Sequence, residues 1–192
     1  MNIEVSSDVR MELTAAGHAQ PLLELVDKNR DHLSRFLPWV PYMQTVNDFE
    51  NYIQRCMAQL EAKTDISFVI YVNNEVAGRI GIHHMQQHNK SGAIGYWLGK
   101  GFEGRGIITQ CCKSLLTYGF EQLALHRIEI KAATENTRSQ AIPKSLQFIY
   151  EGIQRQAELV DGRFLDICVY SILQPEWIAT KQDSPVLLPS EK

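Results

Sequence analysis

Between residues 108 and 123 the apolar side chains Ile108, Cys111, Cys112, Leu115, Leu116, Gly119, Phe120 and Leu123 recur at steps of three and four. That period lays them along one face of an α-helix and predicts a helix that starts near Gly106. Just before it, in 93–98, both alternating sets are non-polar: Ala93, Gly95 and Trp97 on one side, Ile94, Tyr96 and Leu98 on the other. A strand of that kind is covered on both faces, so it belongs near the centre of a sheet. The stretch 127–132 instead alternates strictly, with Ile128, Ile130 and Ala132 against Arg127, Glu129 and Lys131. It predicts a strand with one wetter face.

The same reading covers the rest of the chain. Residues 3–13 form an opening strand interrupted by Ser6, Ser7 and Asp8. From Thr14, placed as the cap, a helix carries Ala15, Ala19, Leu22, Leu23, Val26 and Leu33 on one face, with Pro21 marking a fresh start inside it. Prolines 38 and 41 forbid a continuous helix through Phe36, Trp39 and Tyr42, so 36–43 is either a hydrophobic plug or the wall of a substrate pocket. A second helix spans 48–62, capped by Thr45 or Asn47. Strands 66–72 and 76–83 make a hairpin about Asn73 and Asn74. Residues 135–139 turn into a short helix ending near Leu146, and Phe148 leads toward another strand. Strands 154–160 and 164–173 then form a hairpin about Asp161 and Gly162. Seven strands flanked by helices make an α/β chain of the α+β type, with a mixed, largely antiparallel sheet.

Composition narrows the function. The 192 residues are 44% hydrophobic and 21% charged, as expected of one globular domain. The domain is placed at 1–174, with a polar, proline-bearing C-terminal tail at 175–192. A net charge of −3 disfavours direct nucleic-acid binding. No stretch approaches 18 consecutive apolar residues, and the first ten residues do not form a secretion signal, so no membrane partner is expected. Cys56, Cys111, Cys112 and Cys168 have neither paired spacing nor a metal pattern; they read as reduced thiols of a cytoplasmic protein. His83, His84 and His88 lie near a strand end and read as solvent-facing or packing residues, not as metal ligands.

The candidate chemistry sits between the central strand and the long helix. Gly99, Gly101, Gly104 and Gly106 fall within eight positions. Glycines permit positive φ and close ligand approach, and a helix start offers unpaired N–H groups with partial positive charge, so together they make an anion site. Taken alone, the cluster reads first as an ordinary tight turn between a core strand and a core helix. It lacks the Gly-Lys-Ser/Thr of a P-loop and the acidic residue of a dinucleotide fold. A pyrophosphate cradle of another kind remains.

Four ordered strings carry a resemblance: Ile94-Gly95-Tyr96-Trp97-Leu98; Phe102-Glu103-Gly104-Arg105-Gly106-Ile107-Ile108-Thr109; Glu135-Asn136-Thr137-Arg138-Ser139; and Arg155-Gln156-Ala157-Glu158. Between about residues 11 and 173 the chain resembles the GNAT acetyltransferases, and more narrowly the Rim-type branch that acetylates the α-amino group of ribosomal proteins. The resemblance implies the GNAT fold, acetyl-CoA as cosubstrate without a metal, and an amine acceptor that includes a ribosomal-protein N-terminus; a homodimer is compatible with it. It also implies that Tyr96, Trp97 and Leu98 offer main-chain groups to the pantetheine arm, that Glu103, Gly104, Arg105, Gly106, Ile107, Ile108 and Thr109 wrap the pyrophosphate, and that Asn136 contacts the cofactor through its amide. Ser139 would be the acid that reprotonates the leaving thiolate and Glu158 the base that serves the amine. Without the motif, Glu158 reads as a solvated strand carboxylate and Ser139 as a helix cap. The chain departs from the superfamily pattern at three places: Glu103 stands for Gln or Arg, Ile108 for a small residue, and Gln147 for Gly.

Amine attack on a thioester needs a neutral nucleophile, a proton acceptor, stabilisation of the oxyanion and a donor for the thiolate. An α-amino group with a pKa of about 8 is partly neutral at pH 7, whereas a lysine near 10.4 is not. A small amine such as a polyamine, amino acid or amino sugar is the second acceptor class. A non-catalytic acyl-CoA-binding protein is the reading from outside enzymology.

Overall fold

The computed structural model describes residues 1–182. Its strands are β1 (Asn2–Glu4), β2 (Val9–Leu13), β3 (Ile66–Val72), β4 (Glu75–Gln86), β5 (Ser91–Leu98), β6 (Arg127–Ala133), β7 (Ile149–Val160) and β8 (Arg163–Leu173), joined in one sheet. The spatial order is β1-β2-β3-β4-β5-β6-β8-β7. Every neighbouring pair is antiparallel except β5 and β6, which run parallel. That one parallel pair requires a crossover. The helix α4 (Ile107–Glu121) provides it.

Local chemistry accounts for the element boundaries. Asn73 and Asn74 have φ of +48° and +67°, and Asp161 and Gly162 have +47° and +72°. Two successive left-handed residues are what a tight two-residue hairpin needs, and Asn, Asp and Gly tolerate them best. Helix α3 (Val46–Glu61) opens with a capping box, in which the Asp48 N–H donates to Thr45 Oγ1 and the Thr45 N–H donates to Asp48 Oδ2. Such a cap contributes about 1 kcal/mol.

The sheet is covered on both faces. Under α4, the central strands pack Ile80, Ile82, Ile128 and Ile130 against Leu115 and Leu116, all at most 1% exposed. On the other face Val69 and Trp97 meet α1 (Ala19–Asp27) and α3 through Leu22, Val26, Phe49 and Ile53. The cysteines are small core residues, all four free and buried.

Several sequence expectations are corrected. The opening strand is two strands, β1 and β2, separated by a turn in which Ser6 Oγ donates to Asp8 Oδ1. Thr14 caps nothing. It is buried, and its hydroxyl accepts from Arg79 and Ser67, because Arg79 lies at 6% exposure under α3 and draws hydroxyls around it. The first helix begins at Ala19 after a single 3-10 turn at Ala16–His18, and a break at Asn29 separates it from α2 (Arg30–Leu33). The 36–43 segment does plug the core, through Val40 and Met43 and through Trp39, which packs on Trp97 with ring centroids 5.6 Å apart, but Tyr42 is 78% exposed and lies outside it. The strand expected from residue 154 already begins at Ile149. Residues 175–182, assigned to the tail, belong to α6 (Gln174–Gln182), and Trp177 joins the main core at 7% exposure. The remainder of that tail, 183–192, lies outside the described residues.

Candidate active site

The parallel strands β5 and β6 pair only from Ser91 opposite Arg127 to Ile94 opposite Ile130. Beyond that point β5 continues along β4 as far as Leu98, and β6 continues along β8 as far as Ala133. The strands therefore diverge, leaving Gly95 exposed in the middle of the sheet and the β6-facing edge of Tyr96, Trp97 and Leu98 without a strand partner. Because the two strands are parallel, the gap opens at their C-terminal ends, where the helices that follow them begin. The N-termini of α4 and of α5 (Thr137–Ser145) thus flank it.

Gly106 is the N-cap of α4, with φ of +71°, and Gly104 has φ of +74°. Among the described residues, the N–H groups of 104–109 donate to no protein acceptor; the first helical bond runs from the Gln110 N–H to the Gly106 carbonyl. A methyl group built on Gly104 would have nothing within 4 Å, so this backbone lies open to a ligand. Six neighbouring donors at the positive end of a 15-residue helix fit a diphosphate. Ile107 and Ile108 contribute main chain only, since their side chains are buried in the core.

The side chains of the loop go elsewhere. Glu103 does not face the cradle as a free carboxylate: it is bonded by Arg138 from α5 and lies 2.9 Å from His32 Nε2 of α2. The Lys100 N–H donates to Asn29 Oδ1 at 2.8 Å, a second tie between the loop and the α1–α2 junction. Arg105 points to Asp8, 3.9 Å away. Neither Asn29 nor His32 stood out in the sequence, because no local pattern marks a residue that braces a loop 71 positions further on.

On the other flank, Asn136 Oδ1 accepts from the Ser139 N–H at 3.0 Å and caps α5, while its amide nitrogen has no hydrogen bond among the described residues. The Ser139 hydroxyl donates to the Tyr96 hydroxyl at 3.3 Å, and the Tyr96 hydroxyl donates to the Ser139 carbonyl at 3.0 Å. Burial raises the Tyr96 pKa well above that of a free phenol, so it remains a neutral donor. The helix carries Pro143 in its interior. Its presence in a helix-forming stretch was the available signal for an unusual carbonyl four residues earlier.

Glu158 lies on β7 opposite Leu165, so it shares a face with Val160, Leu165, Ile167 and Ala133, the small apolar cluster against which Phe36 packs. It is half-buried, and desolvation alone pushes its carboxyl above the usual range. Among the described residues it has no hydrogen bond or ion pair. A carboxylate in that state is a proton acceptor that no neighbour has neutralised. Among the described residues, no group of three or more His, Cys, Asp or Glu side chains could hold a metal. His83 is bonded to Asp65 at 2.9 Å.

A sheet that splits between two parallel strands, with unpaired main-chain N–H groups at the foot of the split, offers a place for an anionic, phosphate-bearing ligand. The chain belongs to the GNAT acetyltransferase family: residues 10–149 match the acetyltransferase (GNAT) domain model. It is 33% identical to YdaF of Bacillus subtilis, whose name marks it as a candidate ribosomal N-acetyltransferase, over 93% of this chain and 98% of that protein. It is 29% identical to the ribosomal-protein-serine acetyltransferase of Escherichia coli, over 88% and 94% of the two chains. The structure superposes on RimL, a ribosomal L7/L12 alpha-N-protein acetyltransferase in complex with coenzyme A, with a TM-score of 0.87 and 28% identity over 90% of this chain and 98% of that one. The protein is an acetyl-CoA-dependent N-acetyltransferase of mixed α/β GNAT fold.

Proposed function

We propose that this enzyme acetylates the α-amino group of a protein N-terminus, with a ribosomal protein as the acceptor. The observation that carries the reading is Glu158, a half-buried carboxylate with no partner among the described residues, on the sheet face opposite that of α4. Bound acetyl-CoA supplies an activated acetyl thioester. The N–H groups of residues 104–109 hold its diphosphate, the free edge of Tyr96, Trp97 and Leu98 takes the pantetheine arm, and the Asn136 amide donates to it. Glu158 removes the proton of the attacking amine, directly or through water, and Ser139 Oγ returns a proton to the departing sulfur. An α-amine, already partly neutral at pH 7 with a pKa of about 8, needs no stronger base than a carboxylate.

The names of the relatives support a protein acceptor, and the outward position of Tyr42 supports an open groove over a closed small-molecule pocket. The same reading places the enzyme in the cytoplasm. Release of free thiol from acetyl-CoA, measured against peptides with N-terminal serine or alanine, polyamines and aminoglycosides, tests it. Turnover with the peptides is expected; turnover confined to small amines would overturn the acceptor assignment, and binding of CoA without turnover on any acceptor would overturn the enzyme assignment.

A further inference from the structure

The ladder between β7 and β8 is interrupted just before Glu158. Gln154 sits opposite Ile167 and Glu158 opposite Leu165, so residues 155–157 stand against Asp166 alone. A bulge of this kind bends its strand and re-aims the side chains that follow, and bulges gather beside active sites for that reason. Gln156, at its centre, has φ of +50°. That conformation is disfavoured for any residue with a Cβ and persists only where its surroundings hold it.

What holds it is Asp166. The Gln156 N–H, with no partner in the ladder, donates to Asp166 Oδ1 at 2.8 Å. Through its main chain the same residue reaches the other side of the site: the Asp166 carbonyl accepts from the Thr134 N–H at 2.9 Å, where β6 gives way to the short loop that leads through Asn136 to Ser139 in the first turn of α5. Gln140 fastens that loop by donating to the Ala133 and Thr134 carbonyls. One residue therefore ties the bulge that precedes Glu158 to the loop that precedes Ser139. Since the Glu158 carboxylate has no side-chain partner among the described residues, the course of the backbone through the bulge sets its place.

We propose that Asp166 is a positioning residue for acetyl transfer: its carboxylate holds the β7 bulge, and its carbonyl fixes that bulge relative to the α5 loop, so that Glu158 and Ser139 face the same bond. The inference rests on the roles given above to Glu158 and Ser139. It differs from a plain strand brace in acting on the rate through Glu158.

The test uses the full-length enzyme, acetyl-CoA and a short peptide with an N-terminal serine. Asp166→Ala is expected to lower kcat by on the order of tenfold or more while the KM for acetyl-CoA stays within about twofold, as misorientation of a reacting group does. Asp166→Asn, which keeps an acceptor oxygen for the Gln156 N–H, is expected to recover most of that loss. If Asp166 acts through Glu158, the double variant Glu158→Gln/Asp166→Ala is no slower than Glu158→Gln alone. Hydrogen exchange at the Gln156 amide, which needs no activity, is expected to quicken in Asp166→Ala and not in Asp166→Asn. Full activity of Asp166→Ala, equal damage from Ala and Asn, or multiplied losses in the double variant would each overturn the proposal. Full activity of Glu158→Gln would instead remove the base assignment, and the positioning role with it, leaving the exchange result as the measure of the brace by itself.

Discussion

The Tyr96 hydroxyl donates to the Ser139 carbonyl at 3.0 Å, filling a position that Pro143 leaves open. In an uninterrupted α-helix that carbonyl would accept from the N–H four residues on, but a proline has none to give. The gap in the helical ladder is thereby turned into an anchor between β5 and α5, and the Ser139 hydroxyl, in turn, rests on the Tyr96 oxygen at 3.3 Å.

Tyr96→Phe removes both bonds and leaves the ring in place. Expected are a loss of about 1 kcal/mol in denaturant-induced unfolding, from one half-buried carbonyl deprived of its donor, and a fall in kcat with little change in CoA affinity, because only main-chain groups of Tyr96 are assigned to the cofactor. Pro143→Ala, which returns an N–H to the Ser139 carbonyl, is expected to leave the helix intact while weakening the Tyr96 anchor. Unaltered kcat in Tyr96→Phe would show that Ser139 is held by its helix alone.

How far the site was legible in the sequence depends on how local each interaction is. The start of α4 at Gly106 was visible because a 3.6-residue period and a glycine cluster meet there, and both hairpins were visible because Asn73-Asn74 and Asp161-Gly162 are turn residues by their own backbone preference. Glu103 was legible as a member of the loop but not in its role: its partners Arg138 and His32 stand 35 and 71 positions away. Trp177 was hidden because one aromatic in a polar stretch carries no period, and Thr14 looked like a cap because its true partner, the buried Arg79, is 65 positions off. The split between β5 and β6 had no signature, since both strands remain regular where they part.

Glu158→Gln is expected to reduce turnover sharply with CoA affinity nearly unchanged. In the wild type, burial raises the carboxyl above its ordinary 4.5, and the reaction needs the ionised form, so the rate falls as pH drops through that raised value. The sign for stability is the opposite. The folded state holds this proton more tightly than the unfolded state, so the group adds stability below pH 4.5 and loses it as pH rises through its folded value. At pH 7 Glu158→Gln is therefore expected to be at least as stable as the wild type, an advantage that shrinks on acidification. A rate profile whose acidic limb sits at or below pH 4.5 would count against the base.

Gly106→Val addresses the cradle. With φ of +71° at the helix N-cap, any side chain there is strained, and a β-branched one most of all. Expected are a loss of at least about 1–2 kcal/mol of stability and of measurable CoA binding by calorimetry. Gly101→Ala is the control, since its added methyl would have nothing within 4 Å and its φ is not in the left-handed region. Retained CoA affinity in a folded Gly106→Val protein would move the diphosphate away from this helix end.

Gln147 occupies the position just past the α5 C-cap, with φ of +61°. The Gln147 N–H donates to the Lys144 carbonyl at 3.2 Å and the Phe148 N–H to the Pro143 carbonyl at 3.0 Å, the paired bonds that close a helix through a left-handed residue. Glycine is the usual occupant because it takes this conformation without strain, so the turn that the family pattern assigns to glycine is kept here by a glutamine at a conformational cost. Gln147→Gly is therefore expected to raise stability by about 1 kcal/mol. Because the backbone course into Phe148 and β7 is unchanged, activity should be unaltered. Thermal and denaturant unfolding measure the first, thiol release the second. A glycine variant less stable than the wild type would mean that the Gln147 side chain contributes contacts worth more than the strain it imposes.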